Sequence, residues 1–381
     1  MKHAMARGVL VTLVASWLCW PDRLHAAPAE PSKPEPSKPE PSESQLAVAP
    51  KLEQEPWMPK LELHGGVSIY LYQPTNGWDT LFFVYSNLRL KATWDYFGIY
   101  FEPRLSSEKM RPYYDSLAWI QQAYLFAELS PLTLKVGKIY KQSGIFWDNT
   151  FYGNIQVYEG LKFDPNVGLS LEGTFGKQAG VSVYAQYFLL DGHLNASLLG
   201  RDTVSIAGAR RRNIFAGRVQ PFFQLTKAAR LEFGLSAEEF TADLPEGNSD
   251  VGRIAGDVKL TWKGLGLWGE VLHQFGKSVN AFPYPEDTTV EPPTPGRSSG
   301  DNTYLLAGAE FKLGPVVPRY NLSIARYGDL SVQEVLHLPG ASIVFHEHAT
   351  FFVEYAIWDR MSPEGKTVID RSLNLTVMGY F

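Results

Sequence analysis

From Leu61 onward the chain alternates apolar and polar residues with a period of two. Leu88, Leu90, Ala92 and Trp94 interleave with Arg89, Lys91 and Thr93. Leu231, Phe233, Leu235 and Ala237 oppose Arg230, Glu232, Ser236 and Glu238. The final stretch places Leu373, Leu375, Val377, Gly379 and Phe381 on one face, and Ser372, Asn374, Thr376, Met378 and Tyr380 on the other. Side chains of a strand point alternately to its two faces, so this pattern predicts strands with one apolar face. Sixteen strands are expected, starting near residues 61, 82, 97, 118, 132, 166, 181, 213, 229, 251, 265, 303, 316, 334, 349 and 371. Gln156 to Phe163 and His193 to Gly200 could each add a strand, so the alternative count is eighteen.

The connections take two forms in turn. Short ones include Asp95-Tyr96, Ser130-Pro131, Lys263-Gly264 and Gly314-Pro315. Long polar ones include Ser106 to Ser116, Lys141 to Pro165, Gly192 to Arg212, Thr241 to Asp250 and Gly276 to Asn302. Alternation alone also suits a soluble sheet, with one face in a dry core. Short turns on one rim and long loops on the other favour an all-β transmembrane antiparallel barrel, with long extracellular loops and short periplasmic turns. An even strand number puts both termini on the periplasmic side. Sixteen to eighteen strands leave room for an aqueous lumen.

Composition agrees: 19 Tyr, 22 Phe and 10 Trp suit aromatic girdles at the two membrane interfaces. Past the N-terminus no run of about 18 apolar residues exists to make a membrane-spanning helix. Residues 1–27 read as a signal peptide: Lys2 and Arg7, an apolar core from Gly8 to Cys19, then Leu24-His25-Ala26-Ala27 as a small-residue cleavage site. Cys19 is the only cysteine, so the mature chain is expected to have no disulfide. Residues 28–58 read as a proline-rich periplasmic linker, with Glu-Pro-Ser-Lys-Pro repeated from Glu30. Residues 59–381 form the barrel. Losing Lys2, Arg7, Arg23 and Asp22 with the signal moves the net charge from −5 to −7. An acidic chain without a basic block is not built for nucleic acid.

In such a barrel the chemistry lies on the lumen wall and in any loop that turns inward. Arg89, Lys91, Arg104 and Lys135 come from neighbouring strands and form a basic wall, although acids nearly balance bases over the whole inner face. The third long loop carries Phe146, Trp147, Phe151, Tyr152, Tyr158, Asp148 and Glu159. Exposed loops seldom hold so many rings. We therefore expect Phe146, Trp147, Asp148, Tyr152 and Glu159 to fold into the lumen as a constriction, with Asp148 and Glu159 facing the basic wall. Leu375, Val377 and Phe381 are the expected barrel-closing and assembly signal, its edge pairing with Leu61 to Tyr72. Gly264 to Gly269 matches a dinucleotide-binding spacing but has no helix to follow. His346-Glu347-His348 sits in a short turn, and Arg210-Arg211-Arg212 on a long outer loop. No catalytic residue, metal or cofactor is expected.

Three stretches carry a resemblance: Leu134-Lys135-Val136-Gly137-Lys138 leading into a long aromatic loop, Phe215-Ala216-Gly217-Arg218-Val219 followed by Pro221, and the terminal Phe381. With them the chain resembles the phosphate-selective porin O and P family over most of residues 60–381. The resemblance implies a sixteen-stranded, trimeric, passive channel whose third loop narrows the pore. Lys138 stands where that family more often has glutamine. It also interrupts the apolar face of Leu132, Leu134 and Val136, so a bulge at Gly137 or the end of the lipid band is expected there.

The reading is an outer-membrane porin, not an enzyme: a passive channel for small hydrophilic solutes or ions with weak anion (phosphate-like) preference. Its expected partners are those solutes, outer-membrane lipid and lipopolysaccharide, the barrel-assembly machinery and two further copies of itself. One alternative is a phospholipase-like barrel hydrolase, which needs a lipid-facing Ser–His pair; His273 is the histidine to inspect. Another is a secreted soluble β-rich binding protein.

Overall fold

The computed structural model describes residues 58–74, 81–107, 117–145, 149–158, 161–162, 165–191, 210–244, 247–279, 298–328, 332–361 and 367–381. The expected signal peptide and all of the expected linker but Met58 lie outside these residues.

Sixteen antiparallel strands close into one barrel. They are β1 (Lys60–Pro74), β2 (Leu81–Trp94), β3 (Phe97–Ser106) and β4 (Ala118–Leu129). Then come β5 (Leu132–Tyr140), β6 (Pro165–Gly176), β7 (Ala179–Asp191) and β8 (Arg210–Thr226). The second half is β9 (Ala229–Leu244), β10 (Gly247–Trp262), β11 (Leu265–Phe275) and β12 (Asn302–Phe311). Last are β13 (Val316–Tyr327), β14 (Val332–His346), β15 (Ala349–Met361) and β16 (Thr367–Tyr380). Each strand pairs with its sequence neighbours, and β16 closes on β1 from Gly66↔Tyr380 to Pro74↔Ser372. The backbones of Gly65 and Phe381 extend this seam by two hydrogen bonds, of 3.0 and 3.1 Å. The seam thus falls slightly later on β1 than Leu61 to Tyr72, because the chain ends opposite Gly65; Lys60 to His64 pair with β2 alone in the register.

The period-two pattern maps onto the two surfaces of the barrel. Leu63, Val67, Ile69, Leu125, Leu134, Phe233, Val258 and Val377 are exposed on the outside, the apolar belt that a barrel turns to lipid. Arg218, Glu238, Arg253, Glu270 and Glu354 are buried on the inside. The short turn at Lys263 (φ 47°) and Gly264 (φ 87°) has two positive φ angles, the geometry that matches strand twist in a two-residue hairpin.

Several boundaries differ from expectation. Strands β9 and β10 run on to Leu244 and from Gly247, so the connection expected from Thr241 to Asp250 is largely strand. Arg210-Arg211-Arg212 begins strand β8 instead of lying on a loop; Arg211 and Arg253 both lie over the Phe240 ring, and Arg212 pairs with Asp243 at 2.7 Å. Ile155–Tyr158 is one helical turn, not a strand, and His193 to Gly200 lies outside the described residues. The register runs unbroken through Gly137. The bulge is instead on the neighbouring strand: Glu102 faces Gln122 and Pro103 faces Ile120, which leaves Gln121 as the extra residue. Lys138 is buried, and its Nζ donates to the Ile120 carbonyl beside that bulge at 2.9 Å. Gly137 has φ +139°, and a Cβ there would lie 2.3 Å from the Ala123 carbonyl oxygen. Gly137→Ala should therefore destabilise the barrel by roughly 1–3 kcal/mol, read as earlier heat-induced unfolding on gels; an unchanged transition would contradict this.

Candidate functional site

The connection between β5 and β6 turns into the lumen. Its described parts are held there by inward-facing side chains of distant strands. Lys141 Nζ is 2.8 Å from Glu238 on β9, and Lys162 Nζ is 3.0 Å from Glu270 on β11. All four side chains are at most 2 % exposed. Glu238 also receives Arg253 at 3.2 Å. Gly144 N–H donates to Ser236 Oγ, and Ile145 N–H donates to Glu270. Farther along, Glu354 on β15 accepts the N–H groups of Phe151 and Tyr152 at 2.9 and 2.7 Å. Asn149 Nδ2 donates to Glu310 at 2.8 Å, and Ile155 N–H donates to Ser323 Oγ.

Apolar contacts reinforce these polar ones. Ile155 and Leu161 pack among Leu272, Tyr304, Tyr327, Leu336, Leu338 and Trp358 on the inner wall of β11–β15. The Phe151 ring lies 4.0 Å from Phe352, and Tyr152 stacks on Tyr72 at 6.1 Å. The segment therefore crosses from β5 to the wall near the β15–β16–β1 seam. Of the residues expected at the constriction, Tyr152 lies inside the lumen. Phe146, Trp147, Asp148 and Glu159 lie outside the described residues, and so does the expected pairing of the two acids with the basic wall.

Arg89 and Lys91 lie on β2, Arg104 on β3 and Lys135 on β5, and carboxylates stand among them. Arg104 donates to Glu102 through Nε and Nη2 at 3.0 and 2.7 Å, and Glu102 also accepts from Tyr100 and Gln122. Lys91 pairs with Glu128 at 3.2 Å and Lys135 with Glu172 at 2.7 Å. Arg89 is the most open of the four at 53 % exposure, with Glu102 3.9 Å away. Rings line the same wall: Tyr100 stacks on Tyr124, Lys91 lies over Phe126, and Tyr85 packs on Trp119. The glutamates that hold the inward segment had been legible only as inner-face acids. Their partners, Lys141 and Lys162, sit in a connection whose path no periodicity reveals.

The remaining motifs carry little. His346 and His348 lie with ring centroids 5.4 Å apart in an exposed turn. Among the described residues no group of three or more His, Cys, Asp or Glu side chains could hold a metal ion. Gly264 to Gly269 leads into strand β11. The hydrogen-bond partner of His273 is Thr303 Oγ1 at 2.9 Å, not the serine that a barrel hydrolase of the expected kind would use.

Solved structures of outer-membrane porins share this architecture. Salmonella typhi OmpF, in a complex with daunomycin, aligns with a TM-score of 0.59 and 11 % identity over 85 % of this chain and 98 % of its own. The anion-selective porin from Comamonas acidovorans aligns at 0.57 and 9 % identity over 85 % of this chain and all of its own. The trimer form of the Vibrio cholerae outer-membrane protein OmpT aligns at 0.54 and 10 % identity, with the same coverages. At these identities the likeness is one of fold: the chain is a sixteen-stranded barrel of the porin type. No family model matches the chain, and no curated protein matches it.

Proposed function

We propose that this protein is an outer-membrane porin, a passive diffusion channel for small hydrophilic solutes or ions, exported by a signal peptide and assembled as a homotrimer. The observation that carries the reading is a closed barrel with an apolar outer belt, an ionic inner wall and a connection lying inside its lumen. Ionised groups in a wet lumen keep hydration, so such a wall suits a solute path better than a core. The trimer form of one structural neighbour supports the oligomer. The terminal strand Leu375, Val377 and Phe381 supports recognition by the barrel-assembly machinery, and the outer belt supports contact with outer-membrane lipid and lipopolysaccharide.

We further propose a weak anion preference, with phosphate as one of the anions passed. Glu102, Glu128 and Glu172 offset most of the charge of Arg104, Lys91 and Lys135, so Arg89 is the wall's main open cation. Reversal potentials across a planar bilayer in a salt gradient test this. Arg89→Gln should move the reversal potential toward cation preference more than Lys135→Gln does. Equal shifts would remove Arg89 as the wall's main open cation, and no shift in either variant would remove the basic wall as the source of selectivity.

A further inference from the structure

Below the inward segment the lumen opens into a cavity of about 620 Å³ that reaches the turn between β10 and β11. Its lining divides into two chemistries. Among the described residues Arg89, Lys312 and Arg319 supply positive charge, against one acid, Glu310; Arg319 already donates to the Asn149 carbonyl. Glu310 is already engaged by Asn149. Lys312 is exposed and has no carboxylate within ion-pair distance among the described residues. The other surface is apolar and aromatic: Phe151 packed on Phe352, with Met378 and Tyr380 on β16.

We propose that this cavity is a binding site for organic carboxylates with an apolar or aromatic body. The inference rests on the channel reading and names a solute class for it. An inorganic anion would use the cations and leave the ring surface against water, which is unfavourable. A neutral apolar solute would cover the rings and leave the cations unused. A carboxylate with a short aromatic body satisfies both: its oxygens meet Arg89 or Lys312, and its ring covers Phe151 and Tyr380. Arg89, Lys312 and Tyr380 are exposed within this lining, which keeps capture loose, as suits a solute that must leave again.

The test uses the full-length protein refolded in detergent, titrated calorimetrically with 3-phenylpropionate, acetate, 3-phenylpropanol and inorganic phosphate. The first should bind about tenfold more tightly than any of the other three. Lys312→Gln and Arg89→Gln should each weaken it several-fold, while Lys227→Gln, in the turn between β8 and β9, should not. Equal binding of acetate or 3-phenylpropanol, or affinity unchanged by Lys312→Gln, overturns the site. In parallel, 3-phenylpropionate should interrupt single-channel current in a planar bilayer. Pores without specific binding refute the site and leave the channel; binding without pores refutes the channel and leaves the site.

Discussion

Removing Met378 to Phe381 should abolish the closed barrel. These residues supply the last pairs of the seam, Ser68↔Met378, Val67↔Gly379 and Gly66↔Tyr380, together with the Gly65–Phe381 hydrogen bonds. They also pair β16 with β15 at Thr350 and Ala349. Without them the lower edge of β1 faces hydrocarbon, where each unsatisfied backbone group costs several kcal/mol. The Phe381 ring adds to the closure by covering Gly65: a Cβ on Gly65 would lie 2.4 Å from Phe381 Cζ. The measurement is the fraction of outer-membrane protein that migrates as a folded, heat-modifiable species. Near-complete loss is expected for the deletion and a partial loss for Phe381→Ala. Wild-type folding of the deletion variant would show that the seam does not hold the barrel closed.

The second large effect concerns the inward segment. Glu270→Ala should release it. Glu270 is fully buried, receives Lys162 Nζ at 3.0 Å and accepts the Ile145 N–H. Deleting its carboxylate leaves the Lys162 ammonium buried without its partner, which costs about 3–5 kcal/mol. That cost falls on the segment, because the barrel ladders do not depend on this pair. The variant should remain heat-modifiable like the wild type, become sensitive to protease between Lys141 and Lys162, and conduct more current per channel. Glu270→Gln should be intermediate, since it retains an acceptor for Ile145. Unchanged conductance with a protease-resistant segment would mean that the remaining contacts, Lys141–Glu238 and the Glu354 acceptor, hold it alone.

Strand count, order and pairing were legible in the sequence because a barrel writes them at period two. The expected starts at 97, 118, 132, 229, 265, 316 and 349 coincide with the observed ones. Departures cluster where the period ends. Arg210-Arg211-Arg212 reads as a polar loop, yet it is strand, because Arg211 turns onto the Phe240 ring and Arg212 finds Asp243 on β9. Lys138 signalled a bulge at Gly137 or the end of the lipid band; the register is unbroken at Gly137, and the register shift lies on β4 instead. Its cause is the extra residue Gln121 on β4, whose bulge leaves the Ile120 carbonyl for the lysine to reach.

The site was legible in a different way. Rings in the long connection pointed to burial, and the structure stacks the Tyr152 ring on Tyr72 of β1. What holds the segment could not be read, because Lys141–Glu238 and Phe151–Glu354 join residues 97 and 203 positions apart. The basic wall was legible as a cluster but not as a field. Only the fold shows that Glu102, Glu128 and Glu172 stand between its members and leave Arg89 the most open.

In the function proposed here, solutes pass through this barrel beside the inward segment. Single-channel recording of the purified, refolded protein in a planar bilayer tests it most directly. Discrete, ohmic conductance steps are expected, larger for Glu270→Ala than for the wild type. A correctly folded barrel that produces no steps in either form would contradict it.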